Sequence, residues 1–230
     1  MTGTVRKATR PRSRARSHHD AVARQAAALC LGYPDDGLAE RLPLLREAVA
    51  GLGRPVRAGL QCFLEHAGST GLPALAAHYV EVFDFKNRHS LHLSWWTDGD
   101  TRRRGTALLR FKDTYRAHGL AWSDRESTGG ELPDFLPVVL EFSAAARTDV
   151  LLREYRPALE LLRLALREAG TPYAGVLEAV CATLPGPGPA DRARAMALAR
   201  SGPPREDVGT GAELPPYGHL DQLPVHLGGR

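Results

Sequence analysis

Two stretches of this sequence hold residues whose types and spacing suit binding chemistry. The first comprises Phe83-Asp84-Phe85-Lys86-Asn87-Arg88, then Leu91-His92-Leu93-Ser94-Trp95-Trp96, then Asp98-Gly99-Asp100-Thr101-Arg102-Arg103-Arg104-Gly105. A helical pattern ends there in aromatics, a loop with two adjacent tryptophans follows, and the next helical pattern opens on an acid and three arginines. Asp100 suits an N-cap, because its carboxylate can accept the unpaired N–H groups of a first turn. Arginines at a helix N-terminus oppose the dipole and call for anions, with Asp84, Asp98 and Asp100 close in sequence. They either form an ion-pair network that pins the loop or meet a ligand.

The second stretch is Glu131-Leu132-Pro133-Asp134-Phe135-Leu136-Pro137-Val138-Val139-Leu140-Glu141-Phe142. With Asp134 as N-cap, Pro137 falls at the third helical position, where its missing N–H has no intrahelical partner to lose. Leu132, Phe135 and Leu136 are then crowded at the mouth of a helix. Such residues either plug the core or line a groove for a partner helix. The reading assigns Leu136 to the core and Phe135 to the groove.

Catalytic and metal chemistry find little support. No phosphate-binding glycine loop, dinucleotide fingerprint or nucleophile elbow occurs, so no catalytic residue and no cofactor is assigned. His18-His19 and His89-x-x-His92 have no cysteine or carboxylate at ligand spacing, and no metal site is expected. Cys30 and Cys181 lie on apolar helical stripes and Cys62 stands beside Phe63 and Leu64, so all three read as small buried hydrophobes.

The elements that must position these stretches are helices. Leu72, Leu75, Ala76, Tyr79, Val82 and Phe83 form one apolar stripe, and Tyr173, Val176, Leu177, Val180, Cys181 and Leu184 another. First-turn prolines at 55, 73 and 172, an N-cap at Thr171, and glycine stops at 32, 119 and 170 punctuate the pattern. Helices are predicted near 20–31, 37–51, 55–67, 72–84, 101–118, 134–146, 149–169 and 172–184, with Pro43 and Pro157 kinking or splitting two of them. Ser90 to Trp95 alternates like a strand. One such piece makes no sheet, so the expected fold is all-α, a single compact helical domain of roughly eight helices over residues 18–184.

The chain has 230 residues and a formal net charge of +4. Six cations and no acid fall within residues 1–19, and without them 24 basic residues face 26 acidic ones. This describes a basic arm, read as disordered over residues 1–17, on a near-neutral body, not the broad cationic face of a folded nucleic-acid binder. A helical module binding nucleic acid through that arm is the competing reading, with a steep salt slope as its signature. From Pro185 onward 16 of 46 residues are glycine or proline. Residues 185–230 therefore read as a flexible tail, interrupted by a short helix at 190–200. No apolar run is long enough for a membrane span, the arm lacks the apolar core of a secretory signal, and a cytoplasmic protein is expected.

Taken together, Tyr79-Val80-Glu81-Val82-Phe83-Asp84-Phe85-Lys86, Gly99-Asp100-Thr101-Arg102-Arg103-Arg104-Gly105 with Leu108-Leu109, and the stretch from Glu131 to Phe142 resemble the delta-subunit family of respiratory nitrate reductase, molybdenum-cofactor assembly chaperones within the all-helical redox-enzyme maturation proteins. The resemblance covers roughly residues 20–185, with Asn87 and Trp95-Trp96 departing from the usual pattern. It implies a non-enzymatic chaperone that binds the N-terminal segment of the catalytic (alpha) subunit, in complex with the iron–sulfur (beta) subunit. It further implies support for molybdenum-cofactor insertion and delay of membrane docking until maturation is complete; no stable membrane insertion and no nucleic-acid partner are expected. Helix-in-groove recognition would then use Phe83, Asp84, Leu132, Pro133, Asp134, Phe135 and Leu136, with Arg88, Asp100 and Arg104 shaping the loop wall.

Overall fold

The computed structural model describes residues 14–120 and 130–202, and these form eleven α-helices with no strand among the described residues. In chain order they are α1 (Arg14–Leu31), α2 (Asp36–Ala50), α3 (Arg54–Ser69), α4 (Leu72–Phe83), α5 (Leu93–Asp98), α6 (Arg102–Ala117), α7 (Leu136–Ala145), α8 (Val150–Glu154), α9 (Arg156–Glu168), α10 (Tyr173–Ala182) and α11 (Pro189–Ser201). A 3-10 turn at Asn87–His89 joins α4 to the loop before α5. The helix α1 begins inside the stretch read as an arm, while residues 1–13 and 203–230 lie outside the described part. The predicted 190–200 helix is α11.

Two prolines behave differently. Pro157 sits in the second position of α9 and the predicted 149–169 helix breaks before it, at Tyr155, into α8 and α9. Pro43 lies inside an unbroken α2. Both Pro43 and Ala39, whose carbonyl loses its donor, are exposed, so water can serve that carbonyl.

The strand-like stretch folds otherwise. His92 makes one isolated antiparallel bridge with Phe135, and the chain then turns into α5, which sequence periodicity missed. The alternation of Leu91 and Leu93 reflects the burial of both, and their backbones are served at that single crossing: Leu93 N–H donates to Asp134 O (3.0 Å) and Leu136 N–H to Leu91 O (2.8 Å). Three expected caps also differ. Phe135, Thr101 and Pro172 occupy the N-cap positions assigned to Asp134, Asp100 and Thr171, none with a side-chain cap bond. Pro137 is consequently the second residue of α7, not the third. Asp35, unremarked in the sequence, does cap: its Oδ1 accepts Leu38 N–H at 2.8 Å.

Small residues set the packing of the core. The α1 helix turns Ala23, Ala26 and Ala27 inward, almost fully buried, and packs closely on α7 and α10. Helices α3 and α10 cross at Gly59 and Gly175. A Cβ on Gly175 would lie 2.6 Å from the Gly59 carbonyl oxygen, and one on Gly59 would press still harder on that of Gly175. Buried Arg24 ties α1 to the far half: Nε donates to Thr183 Oγ1 (3.2 Å), Nη1 to Ser143 Oγ (3.2 Å) and Thr148 O (3.1 Å). The core this closes runs from Leu31 and Phe63 through Tyr173 to Leu140, and it backs the loops described next.

Candidate functional site

A shallow cavity of about 140 Å³ opens between the end of α4, the loop before α5 and the start of α7. Its wall is formed by Tyr79, Phe83, Asp84, Lys86, Asn87, Ser90, Leu91, His92 and Phe135. Phe83 forms the floor, because α4 turns it inward against Tyr79 and Tyr173, each with ring centroids 4.8 Å away. Large apolar groups stand in solvent nearby in the sequence and the fold. Phe85 is 79% exposed, Leu132 38% and Tyr33 59%, the last meeting Tyr79 edge-on at 5.5 Å. The Tyr79 hydroxyl donates to Leu31 O at 3.3 Å. Burial first, then the charges of Glu131 and Asp84, push that phenol well above its ordinary value, so it stays neutral.

The loops are held by one carboxylate. Asp134 is fully buried; its Oδ1 meets His92 Nδ1 at 3.0 Å, and its Oδ2 accepts from the Ser94 hydroxyl (2.5 Å) and the Ser94 backbone N–H (3.2 Å). Arg104 Nη2 stands 3.6 Å from the same Oδ2. Burial alone would raise the Asp134 pKa, but the hydrogen bonds from His92 and Ser94 and the charges of His92 and Arg104 outweigh it and hold the carboxyl below its usual value. The group is therefore ionised, and α5, α6 and the 131–135 turn are tied to one point. The Tyr115 hydroxyl fixes that turn from beneath by donating to Pro133 O at 2.5 Å. His92 in turn packs its ring on Phe135, centroids 5.3 Å apart, and so sets the angle at which Phe135 enters the cavity wall.

Of the residues assigned from sequence, Phe83, Asp84 and Phe135 line the cavity. Leu132 is exposed, and its carbonyl accepts the Phe135 N–H in the turn. Pro133, Asp134 and Leu136 are buried supports. Arg104 meets Asp134, not the acids near it in sequence. Arg88 does not join: it is exposed and reaches Glu168 on α9 at 3.4 Å. Asp100 is likewise an exposed turn residue outside the cavity. Sequence reasoning did not assign Tyr33 or His92 to the site. His92 was visible only as half of a histidine pair; its partner His89 is buried and bonded through Nδ1 to Val82 O at 2.7 Å, so the two do not converge. Cys62 is exposed, against expectation, whereas Cys30 and Cys181 are buried.

Burial raises the thiol of Cys181 to about 11, and that of Cys30 further still. Neither is a thiolate nucleophile at neutral pH. Among the described residues no three His, Cys, Asp or Glu side chains converge as a metal site, and no helix is long and apolar enough to cross a membrane. What the surface offers is aromatic and aliphatic area beside a small cavity, rimmed by Asp84, Lys86 and Glu131.

The chain is similar in sequence to known proteins. The profile of the nitrate reductase delta subunit family matches residues 36–179. The nitrate reductase-like protein NarX of Mycobacterium tuberculosis H37Rv is 38% identical over 162 residues, 69% of this chain but 24% of that protein. Bacillus subtilis NarJ, named a probable nitrate reductase molybdenum cofactor assembly chaperone, is 32% identical over 163 residues, 69% of this chain and 86% of its own. Escherichia coli K12 NarJ, named a nitrate reductase molybdenum cofactor assembly chaperone, is 31% identical over 150 residues, 63% of this chain and 61% of its own. A crystal structure of a candidate redox enzyme maturation protein from Archaeoglobus fulgidus aligns with a TM-score of 0.49 at 20% identity, covering 84% of this chain and 99% of the other.

Proposed function

The chain belongs to the nitrate reductase delta subunit family, and we propose that it is an assembly chaperone for a nitrate reductase. In this reading it binds the N-terminal segment of the catalytic subunit, itself paired with the iron–sulfur subunit, in the cytoplasm. It keeps that subunit open for molybdenum-cofactor insertion and delays membrane docking until insertion is complete. The chaperone names of the Bacillus and Escherichia relatives support the general role. The observation that carries the proposed recognition is the uncovered apolar surface of Phe85, Tyr33, Leu132 and Phe135 around the cavity. Exposed aromatics with a charged rim suit an amphipathic segment that buries one face and meets the rim with the other.

Titration calorimetry with a synthetic peptide of the catalytic subunit's N-terminus is the test. A dissociation constant near micromolar, about -8 kcal/mol, is expected. No heat at a hundredfold higher concentration would exclude the site.

Neighbouring residues divide scaffold from surface. Leu136 is fully buried, so Leu136→Ala should cost about 2–5 kcal/mol of stability, and any loss of binding should follow unfolding. Phe135 is only partly buried and lines the cavity, so Phe135→Ala should leave the melting temperature nearly unchanged and weaken the peptide by about 1 kcal/mol or more. A folded Phe135 variant of undiminished affinity would remove that residue from the surface.

A further inference from the structure

Away from the cavity, two histidines from different helices point ring nitrogens at each other. His66 Nε2, in the last turn of α3, lies 3.2 Å from His78 Nδ1, in the middle of α4, with ring centroids 5.2 Å apart and planes at 80°. Two nitrogens bound to one tetrahedral ion at about 2.05 Å stand about 3.3 Å apart. The pair therefore already has the spacing of a chelate, and small ring rotations would aim both lone pairs at a common point.

The other nitrogen of His78 is also placed for this. His78 Nε2 lies 3.3 Å from Thr171 Oγ1, in the buried turn between α9 and α10. A donor bond from Nε2–H to that hydroxyl leaves Nδ1 with the free lone pair, the outer-sphere arrangement that fixes tautomer and ring angle in histidine metal sites. The Tyr173 ring, 5.7 Å from that of His78, limits its swing. Both histidines are half-buried, so an ion can reach them.

We propose that His66 and His78 form a two-imidazole site for a borderline divalent cation such as Zn²⁺ or Ni²⁺, with Thr171 orienting His78. On binding, the proton on His66 Nε2 moves to Nδ1 and the imidazole stays neutral. Water fills the remaining positions. With only two preset ligands the site is open and exchangeable, and it favours nitrogen-seeking ions over Mg²⁺ or Ca²⁺. Occupancy would bridge α3 to α4, the helix that carries Tyr79 and Phe83 to the cavity.

The test uses the full-length chain, free of any affinity tag and stripped with chelator, melted while ZnCl2, NiCl2 or MgCl2 is titrated across the micromolar range. Zn²⁺ and Ni²⁺ should raise the melting temperature by about 5 °C at hundredfold excess over their dissociation constants, and Mg²⁺ should not. His66→Gln and His78→Gln, each checked for helicity without metal, should abolish the rise, and Thr171→Val should weaken binding about 10–100-fold. Paramagnetic Co²⁺ added to the unaltered chain should shift or broaden the imidazole proton signals of His66 and His78 before those of the other histidines, and Zn²⁺ should reverse the change, a readout independent of any variant. No rise, or the same rise in the double His66→Gln/His78→Gln variant, overturns the proposal; the latter would place adventitious binding elsewhere, as at His18-His19.

Discussion

Asp134→Ala is expected to lower stability by about 3–5 kcal/mol, the scale of removing one partner from a buried charged network. The loss arises because His92, Ser94 and Arg104 all converge on that carboxylate, so its removal strands a buried N–H and a guanidinium together. Asp134→Asn keeps the shape while removing the charge, and it supplies a pH signature. The folded pKa lies below the ordinary 3.8, so the ionised group's contribution is full above that value and fades as pH falls through the lower folded one. The stability gap between the native chain and Asp134→Asn, measured by denaturant unfolding, should close as pH falls through the acid range. A gap unchanged down to acid pH would mean that the carboxylate's charge does not hold the loops.

Gly59→Ala should be comparably damaging, with the opposite sign from what helix propensity implies. Glycine to alanine inside a helix ordinarily gains about 0.5–1 kcal/mol. At Gly59 the added carbon meets the rigid carbonyl of Gly175, so α3 and α10 must separate and loosen the core on both sides. A cost of about 3 kcal/mol is expected, roughly 6–12 °C in melting temperature for a chain of this size. Gly175→Ala should behave alike, and the double variant should cost less than the sum, because one separation relieves both contacts. Gly105, in α6 with open space around it, is the internal control, and Gly105→Ala should stabilise. If Gly59→Ala also stabilises, the two helices do not touch through their backbones.

These two residues mark where sequence reading stops. The stripes of α4 and α10 were legible because an apolar period of 3.6 survives any tertiary detail; proline marked the break before α9 but not the unbroken α2, where the carbonyl that loses its donor at Pro43 is exposed to water. The role of Asp134 was not legible, since its partners lie 30 to 42 residues away and an acid before a helical run reads first as a cap. Gly59 and Gly175 read singly as weak points of two helices; only their crossing makes them the position of closest approach. Leu91, Leu93 and Trp95 alternate with His92 and Ser94 in the sequence, but the chain turns into α5 after one bridge, so Ser94 is fully buried and Trp95 only partly. Of the residues singled out for their unusual company, Phe83, Asp84 and Phe135 fall on the cavity wall. Arg88 and Asp100 shared that company without facing the cavity, because neighbours in a loop need not share a side.

The packing of α1 bears on how the chain acquires its shape. Its buried alanine face is covered by α7 and α10, and Arg24 finds its acceptors 119 to 159 residues further on. During synthesis at about 5–20 residues per second, that face must wait on the order of ten seconds or more before the helices that cover it emerge. The same long separations raise contact order above that of a bundle whose neighbours follow one another in sequence, which slows the closing step. A protein proposed to shelter another chain's early segment is itself dependent on its last core helices to shelter its own.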